Sequence, residues 1–369
     1  MDAGSGDTKW QRPLGLTVQG DPLVLGGSVI VLDQSGGLYR FDPAQHPPNV
    51  TDPWQAGGTE IAKPIGDLVG SPFLLSPVTH GALSEAWAVL VRPDDGGYRL
   101  VLRRVSADGS VTERSASLPS PPAGTPALGP NTVVLPLADG QLCRVPLDVE
   151  NPKPMLGPTW RAGATPDARG HVVHWKADEF LVSDGGRRLY RLTWPAGARY
   201  DLDTPRPIEL AQRVVTPPAR LPNGGVAVGD ASGTVTLIGG DRPTAVRAWR
   251  LGPVTAGPWA VGDKLAVIVD RRKLIWLNPD ADQPVWTYTT PGDGIESPPR
   301  LVEGKLVVAD LAGRFMALGP ATGKPAGGGY QFPAEAAPSS AVTAFGAGRL
   351  FAPLTDGTVL LLPIAELTR

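Results

Sequence analysis

With 34 Lys and Arg against 36 Asp and Glu over 369 residues, the chain has a formal net charge of −2. It lacks the basic surface whose counterion release drives nucleic-acid binding, so a nucleic-acid partner is excluded. Its 46 glycines and 41 prolines interrupt helical patterns and suit a protein of many short strands and turns, while a single cysteine, Cys143, excludes an internal disulfide or a thiolate metal cluster.

The chain opens with "MDAGSGDTKW", which has no basic stretch running into an apolar one, and no apolar run long enough to cross a bilayer follows. No membrane insertion is expected of it. "MDAGSG" reads as the start of an excised domain, which places any targeting segment outside the chain.

A repeat then runs from end to end. Prolines open successive units at Pro22, Pro72, Pro126, Pro166, Pro217, Pro258, Pro298 and Pro338, in steps of 50, 54, 40, 51, 41, 40 and 40 residues. Within the units an apolar strand enters an acidic, glycine-bearing turn and leaves as a second apolar strand: "VIVLDQSGGLYRFD", "LPLADGQLCRV", "FLVSDGGRRLYRL", "VAVGDASGTVTLI", "LVVADLAGRFMAL" and "LFAPLTDGTVLLL". Asp can accept the turn's backbone N–H groups and Gly can take the positive φ, so these are hairpins and their aspartates are structural. "VIVDRRKLIWL" keeps Asp270 but places Arg272 and Lys273 where glycine would stand. A different turn geometry is expected there.

The strands are apolar on both faces, which suits sheets covered on both sides. Four such strands per unit, repeated and packed face to face, predict an all-β, eight-bladed β-propeller of four-stranded antiparallel blades in a single domain, 1–369. The irregular second unit leaves a count of seven open. The last unit ends without a fourth strand, so residues 1–12, carrying Trp10, are expected to supply the outer strand of the last blade and close the ring. Trp54, Trp160, Trp249 and Trp286 occupy comparable outer positions and are expected to dock blades.

On these residues the chain resembles the pyrroloquinoline-quinone-like, or quinoprotein-dehydrogenase-like, propellers, whose repeat is approximately A-x-D-x-x-T-G-K-x-x-W. The sixth unit fits from Trp276 through Asn278 to Trp286. The seventh fits through Ala317, Thr322, Gly323 and Lys324, with Gly319 and Gly327 in place of the Asp and Trp. The resemblance spans the chain and is clearest from 214 to 363. It implies one of two functions. The dehydrogenases use an adjacent cysteine pair, a calcium and an aspartate base, and one cysteine cannot supply the pair. The non-catalytic members, similar to the lipoprotein scaffold of the outer-membrane barrel-assembly machine or to sensor modules of larger bacterial proteins, bind proteins and carry no cofactor.

Other constellations have plain structural readings. His171 and His174 in "HVVH" would point to opposite faces of a strand, and His46 and His80 lie in loops far apart. Asn278, Asp280 and Asp282 alternate as in a calcium loop but lack its glycine and final glutamate. "GPATGKPAGGG" has three residues before its Gly-Lys pair and Pro325 after it, so it is no phosphate loop. Nothing resembles a nucleophile elbow, and "NVT" at Asn49 carries no weight without a secretory eukaryotic host. The segments 43–67 and 76–87 interrupt the repeat as surface loops. Arg187 and Arg188 in the fourth unit, and Arg271, Arg272 and Lys273 in the sixth, lie in turns that should emerge on one face. They are the candidate patch for a carboxylate or an acidic partner.

The expected function is therefore a non-catalytic protein-binding, scaffold or sensor propeller, monomeric and extracytoplasmic, with no catalytic, cofactor or metal site. A degenerate quinoprotein-type enzyme, or a small-ligand binder using the central channel, is the alternative.

Overall fold

The structure is a computed structural model and describes residues 17–45, 58–77, 83–160, 169–195, 199–332, 336–357 and 359–369. Trp10, Trp54, His46, Asn49 and His80 lie outside the described residues, as does the strand expected to close the last blade.

Eight sheets follow one another along the chain. Their first strands are Leu23–Leu25, Phe73–Leu75, Ala127–Gly129, Gly170–Lys176, Ala219–Arg220, Val254–Val261, Arg300–Val302 and Thr343–Ala344. In each, consecutive strands pair antiparallel from the first strand outward, as in Leu265↔Leu277 and Trp276↔Trp286 of the sixth. The molecule is an eight-bladed β-propeller.

The second unit resolves the count. Its two middle strands, Glu85–Asp94 and Gly97–Ser106, are ten residues each, twice the length of the five-residue Thr132–Pro136 in the third blade. They form a complete four-stranded blade with Phe73–Leu75 and Val111–Leu118. The irregularity in sequence was a longer hairpin, not a missing blade. In the fourth blade two short segments, Asp201–Leu202 and Ile208–Glu209, share the outer position against Arg188–Thr193. The eighth has three described strands, followed by the short helix Ile364–Leu367.

Sequence alternation explains why these strands need neighbours on both sides. Ser28–Leu32 and Thr132–Pro136 bury every residue, so an isolated blade would expose two apolar faces. Each fully buried Val, Leu or Phe contributes about 1.5–3 kcal/mol, and the structure satisfies these faces between blades. Val89, Leu100 and Leu102 of the second meet Val133, Leu135 and Val145 of the third. Eight such clusters fill eight interfaces, and the one uniting Phe345, Phe351 and Leu361 with Val29, Val31 and Phe41 joins the eighth blade to the first. The ring is therefore closed by packing among the described residues.

Polar latches reinforce the seams. Trp249 donates its indole N–H to the Ala281 carbonyl at 3.0 Å, and Trp286 donates to the Pro320 carbonyl at 2.8 Å. Each reaches from the outer strand of one blade to the loop between third and fourth strands of the next. Trp286 also stacks on Trp276, with centroids 5.4 Å apart and planes 9° apart. The Trp286 ring lies over Gly323, where an added Cβ would come within 2.5 Å of Cδ2 and where φ is +67°. "TGK" is thus a tight turn beneath a tryptophan. Trp160 docks differently: it donates to the Leu137 carbonyl of its own blade at 3.0 Å and is buried in the cluster shared with the fourth blade. Between the first two blades the latch is Arg103, buried on the second blade, which donates to the carbonyls of Gly36 at 2.6 Å and Lys63 at 2.8 Å and to Glu113 at 2.8 Å.

The missing tryptophan of the seventh repeat has a physical reason. At Gly327 an added Cβ would collide with the backbone of Thr368, and Gly328 N–H donates to the Arg369 carbonyl at 2.7 Å. The C-terminal residues pass where the tryptophan would stand.

Candidate functional site

Antiparallel order puts every turn between second and third strands on one face, here the upper, together with the blade-to-blade connections. The aspartates sit in these upper turns as the sequence indicates. Asp33 Oδ1 accepts from Ser35 and Gly37 N–H, both at 2.8 Å. Asp310 Oδ1 accepts from Ala312 and Arg314 N–H at 3.1 and 3.0 Å, and its Oδ2 accepts from the Thr290 hydroxyl at 2.7 Å. Asp184 and Asp230 repeat the arrangement.

The six turns are not one class. In the third and eighth blades Leu137 and Leu354 occupy the buried place of the aspartate, as the shared bonds Gly140 N–H to Leu137 O and Gly357 N–H to Leu354 O show. Asp139 and Asp356 lie two residues later. In the sixth blade Val269 takes the place, paired with Lys273, and Asp270 and Arg271 have φ of 52° and 60°. The expected difference in geometry is two consecutive left-handed residues.

The candidate basic residues emerge on this upper face, yet each is engaged within its own blade. Arg187 and Arg188 share Glu209 at 3.7 and 3.2 Å, and Arg188 pairs across strands with Glu209. Arg271 meets Glu296 at 2.9 Å and Lys273 meets Asp270 at 2.9 Å. Arg272 donates to the carbonyls of Thr290 at 3.0 and 3.3 Å and Pro291 at 3.2 Å. The two groups belong to the fourth and sixth blades with the fifth between them. The sequence could show the turns but not Glu209 and Glu296, which approach from other strands and loops.

The other constellations resolve as turns and core. His171 and His174 both lie on Gly170–Lys176. His171 is buried, with Nδ1 3.2 Å from the Thr125 hydroxyl, whereas His174 Nε2 lies 2.8 Å from the Ala177 carbonyl and its ring packs on Phe180. Burial depresses both, and His171, also facing the Arg169 charge, is pushed down to about 4. Asn278 Oδ1 accepts from Lys264 at 3.2 Å and Asp280 N–H at 3.2 Å, and Asp282 accepts from Arg247 at 2.8 Å. Those oxygens serve a turn and an inter-blade contact. Cys143 is buried and its thiol is pushed up to about 12, first by desolvation and then by Asp139. Among the described residues no three His, Cys, Asp or Glu side chains come together as metal ligands, and no helix is long and apolar enough to cross a membrane.

A concavity unmarked by any sequence motif opens on the upper side around the blade-to-blade connections of the second to fifth blades. It has a volume of ≈ 780 Å³ and is lined by Ser71, Phe73, Gly124, Arg169, His171 and Arg213, among others. Two backbones meet in its lining: Gly124–Thr125, which leads into the third blade, pairs in parallel with Gly170 and His171 of the fourth. Gly170 N–H donates to the Ala123 carbonyl at 3.1 Å, and the strands approach so closely that a Cβ at Gly124 would collide with the Gly170 backbone.

The fold is that of an eight-bladed β-propeller, the class of the resemblance read from the sequence. Residues 212–366 match the family model described as outer membrane protein assembly factor BamB. That stretch is the fifth to eighth blades, and it includes a repeat the sequence reading passed over: Asp241, Thr244 and Trp249 in "GGDRPTAVRAW" stand at the motif's Asp, Thr and Trp positions. Among solved structures, BamB from Moraxella catarrhalis is similar with a TM-score of 0.58 and 13% identity, over 93% of this chain and 96% of that one. The computationally designed Ika8 protein gives 0.64 and 13%, over 95% and 98%. At such identities these likenesses concern the fold. No curated protein sequence matches the chain.

Proposed function

We propose that the protein is a non-catalytic, protein-binding scaffold propeller of an extracytoplasmic bacterial assembly. The observation that carries this reading is the match of the fifth to eighth blades to an outer-membrane assembly factor, in a fold similar to BamB over nearly its full length. The physical basis is presentation. A ring closed by eight apolar seams holds its loops in place, so little conformational entropy is lost when a partner docks on them. The upper face, with Arg187, Arg188, Arg271, Arg272 and Lys273, is the proposed contact surface. Their internal ion pairs with Glu209 and Glu296 are exposed and therefore weak, so an incoming carboxylate can compete for the guanidinium groups.

The test is affinity capture of the tagged chain from envelope fractions of its host, with Arg187, Arg188, Arg271 and Arg272 changed to Glu in parallel. A stoichiometric partner retained by the native chain and lost by the variant supports the reading. Absence of any stoichiometric partner, together with a melting temperature that rises with added quinone and calcium in a concentration-dependent way, refutes it in favour of a quinoprotein.

A further inference from the structure

The cleft over the second to fifth blades combines features not found together elsewhere on the described surface. Its volume of ≈ 780 Å³ lies in the range of about 300–1,000 Å³ typical of ligand pockets. Two arginines on its wall, Arg169 and Arg213, are exposed and have no acidic partner among the described residues. This contrasts with Arg187, Arg188 and Arg271 on the same face, each paired with a glutamate. His171, which lines the same cleft, is more than nine-tenths buried, and its Nδ1 is engaged by the Thr125 hydroxyl at 3.2 Å. In the tautomer with the ring's proton on Nε2, the hydroxyl donates to Nδ1 and Nε2 has no protein partner among the described residues.

Among the described residues, the acids flanking the lining are already committed. Asp184, beside the Gly185 that lines the cleft, accepts from Gly186 and Arg188 N–H at 2.8 and 3.2 Å. Asp139, beside Ala138, accepts from Gln141 N–H at 2.9 Å. The lining thus offers donors and positive charge, with apolar surface from Phe73, Val215 and Pro217 beside them. Burial keeps His171 neutral near pH 7, so its contribution is a directed hydrogen bond, and the arginines supply the charge.

We propose that this cleft receives an acidic peptide segment of a protein partner, with carboxylates held by Arg169 and Arg213 and a further acceptor on His171 Nε2. A peptide is favoured over a small organic acid because the arginines come from the connections of two different blades and the cleft extends over four. The proposal rests on the scaffold reading and names the chemistry of what is bound.

Fluorescence anisotropy with a labelled ten-residue Glu/Asp-rich peptide tests it, with a Ser/Lys peptide of equal length and citrate as comparisons. The acidic peptide is expected to bind, and the paired change R169E and R213E, at exposed positions that leave the core untouched, should weaken it at least about tenfold through loss of charge-assisted bonds. His171→Gln should weaken it roughly threefold, as expected for one hydrogen bond, while R242E, in the lower turn between Thr234–Gly239 and Thr244–Arg250 of the fifth blade, should leave it unchanged. Binding unaffected by R169E and R213E, or absent, overturns the proposal. Citrate binding to the arginines with the acidic peptide excluded also overturns it, in favour of a small-acid site. Capture of a partner that survives R169E and R213E refutes the cleft alone and leaves the scaffold reading standing.

Discussion

Replacing Gly323 by Ala probes the seam between the sixth and seventh blades in a way that separates backbone strain from packing. At φ +67° a Cβ costs about 1–2 kcal/mol by itself. It also lies within 2.5 Å of the Trp286 ring, which must tilt away from both Trp276 and the Pro320 carbonyl. Losing the indole hydrogen bond costs about 1 kcal/mol, and disturbing the stacked pair costs about 0.5–1.5 kcal/mol. A total destabilisation of about 2.5–4.5 kcal/mol is expected in urea unfolding followed by far-ultraviolet circular dichroism. In a Trp286→Ala background the ring is gone, so the same change should cost only the backbone part, about 1–2 kcal/mol. The double-mutant cycle should therefore show a coupling of at least about 1 kcal/mol. Equal costs in the two backgrounds would refute the account of Gly323 as the floor of a tryptophan dock.

The remaining expectations concern single groups. His171 is neutral when folded, with its pKa near 4 against about 6.5 unfolded, so the unfolded chain binds the extra proton between those values. Its stabilising contribution is complete above pH 6.5 and is lost as pH falls toward 4, by up to about 1.4 kcal/mol per pH unit; His171→Gln should flatten that part of the stability profile. The Cys143 thiol should resist a thiol reagent at pH 8 in the native state and react fully in denaturant, and rapid native labelling would contradict its burial. Asp310→Ala, which strands two turn amides and the Thr290 hydroxyl, should cost about 2–3 kcal/mol, whereas Asp139→Ala, which frees one amide at an exposed turn, should cost at most about 1 kcal/mol by thermal melting. Arg103→Met, which abandons two carbonyls at the first seam, should cost about 1–3 kcal/mol, and a neutral outcome would deny it the role of latch.

The fold was legible because it is written as a period. Prolines at unit starts, aspartates and glycines in hairpin turns, and strands apolar on both faces are local signals that repeat until they can be read. The exceptions were legible in part: Arg272 and Lys273 in place of glycine indicated a different turn, and the structure supplies its left-handed pair at Asp270 and Arg271. The site was less legible, because it depends on residues brought together from distant stretches of the chain. Glu209 and Glu296 pair with the basic turns, which composition could not indicate. Gly124 and Gly170 stand 46 positions apart in sequence, and neither betrays that one backbone will lie on the other. Arg169 and Arg213 resemble any loop arginines until the fold brings them to one cleft with His171.

The placement of apolar clusters between blades, with none confined to a single blade, bears on how the protein could be divided. A cut in a blade-to-blade connection on the upper face leaves two fragments that each carry two unsatisfied faces, complementary to those of the other. Halves such as the first to fourth and fifth to eighth blades should then be insoluble or unstructured apart and should reassemble on mixing into the complete ring. The ring is the smallest folding unit, and a break in the chain at its rim is tolerated far better than the loss of any one blade.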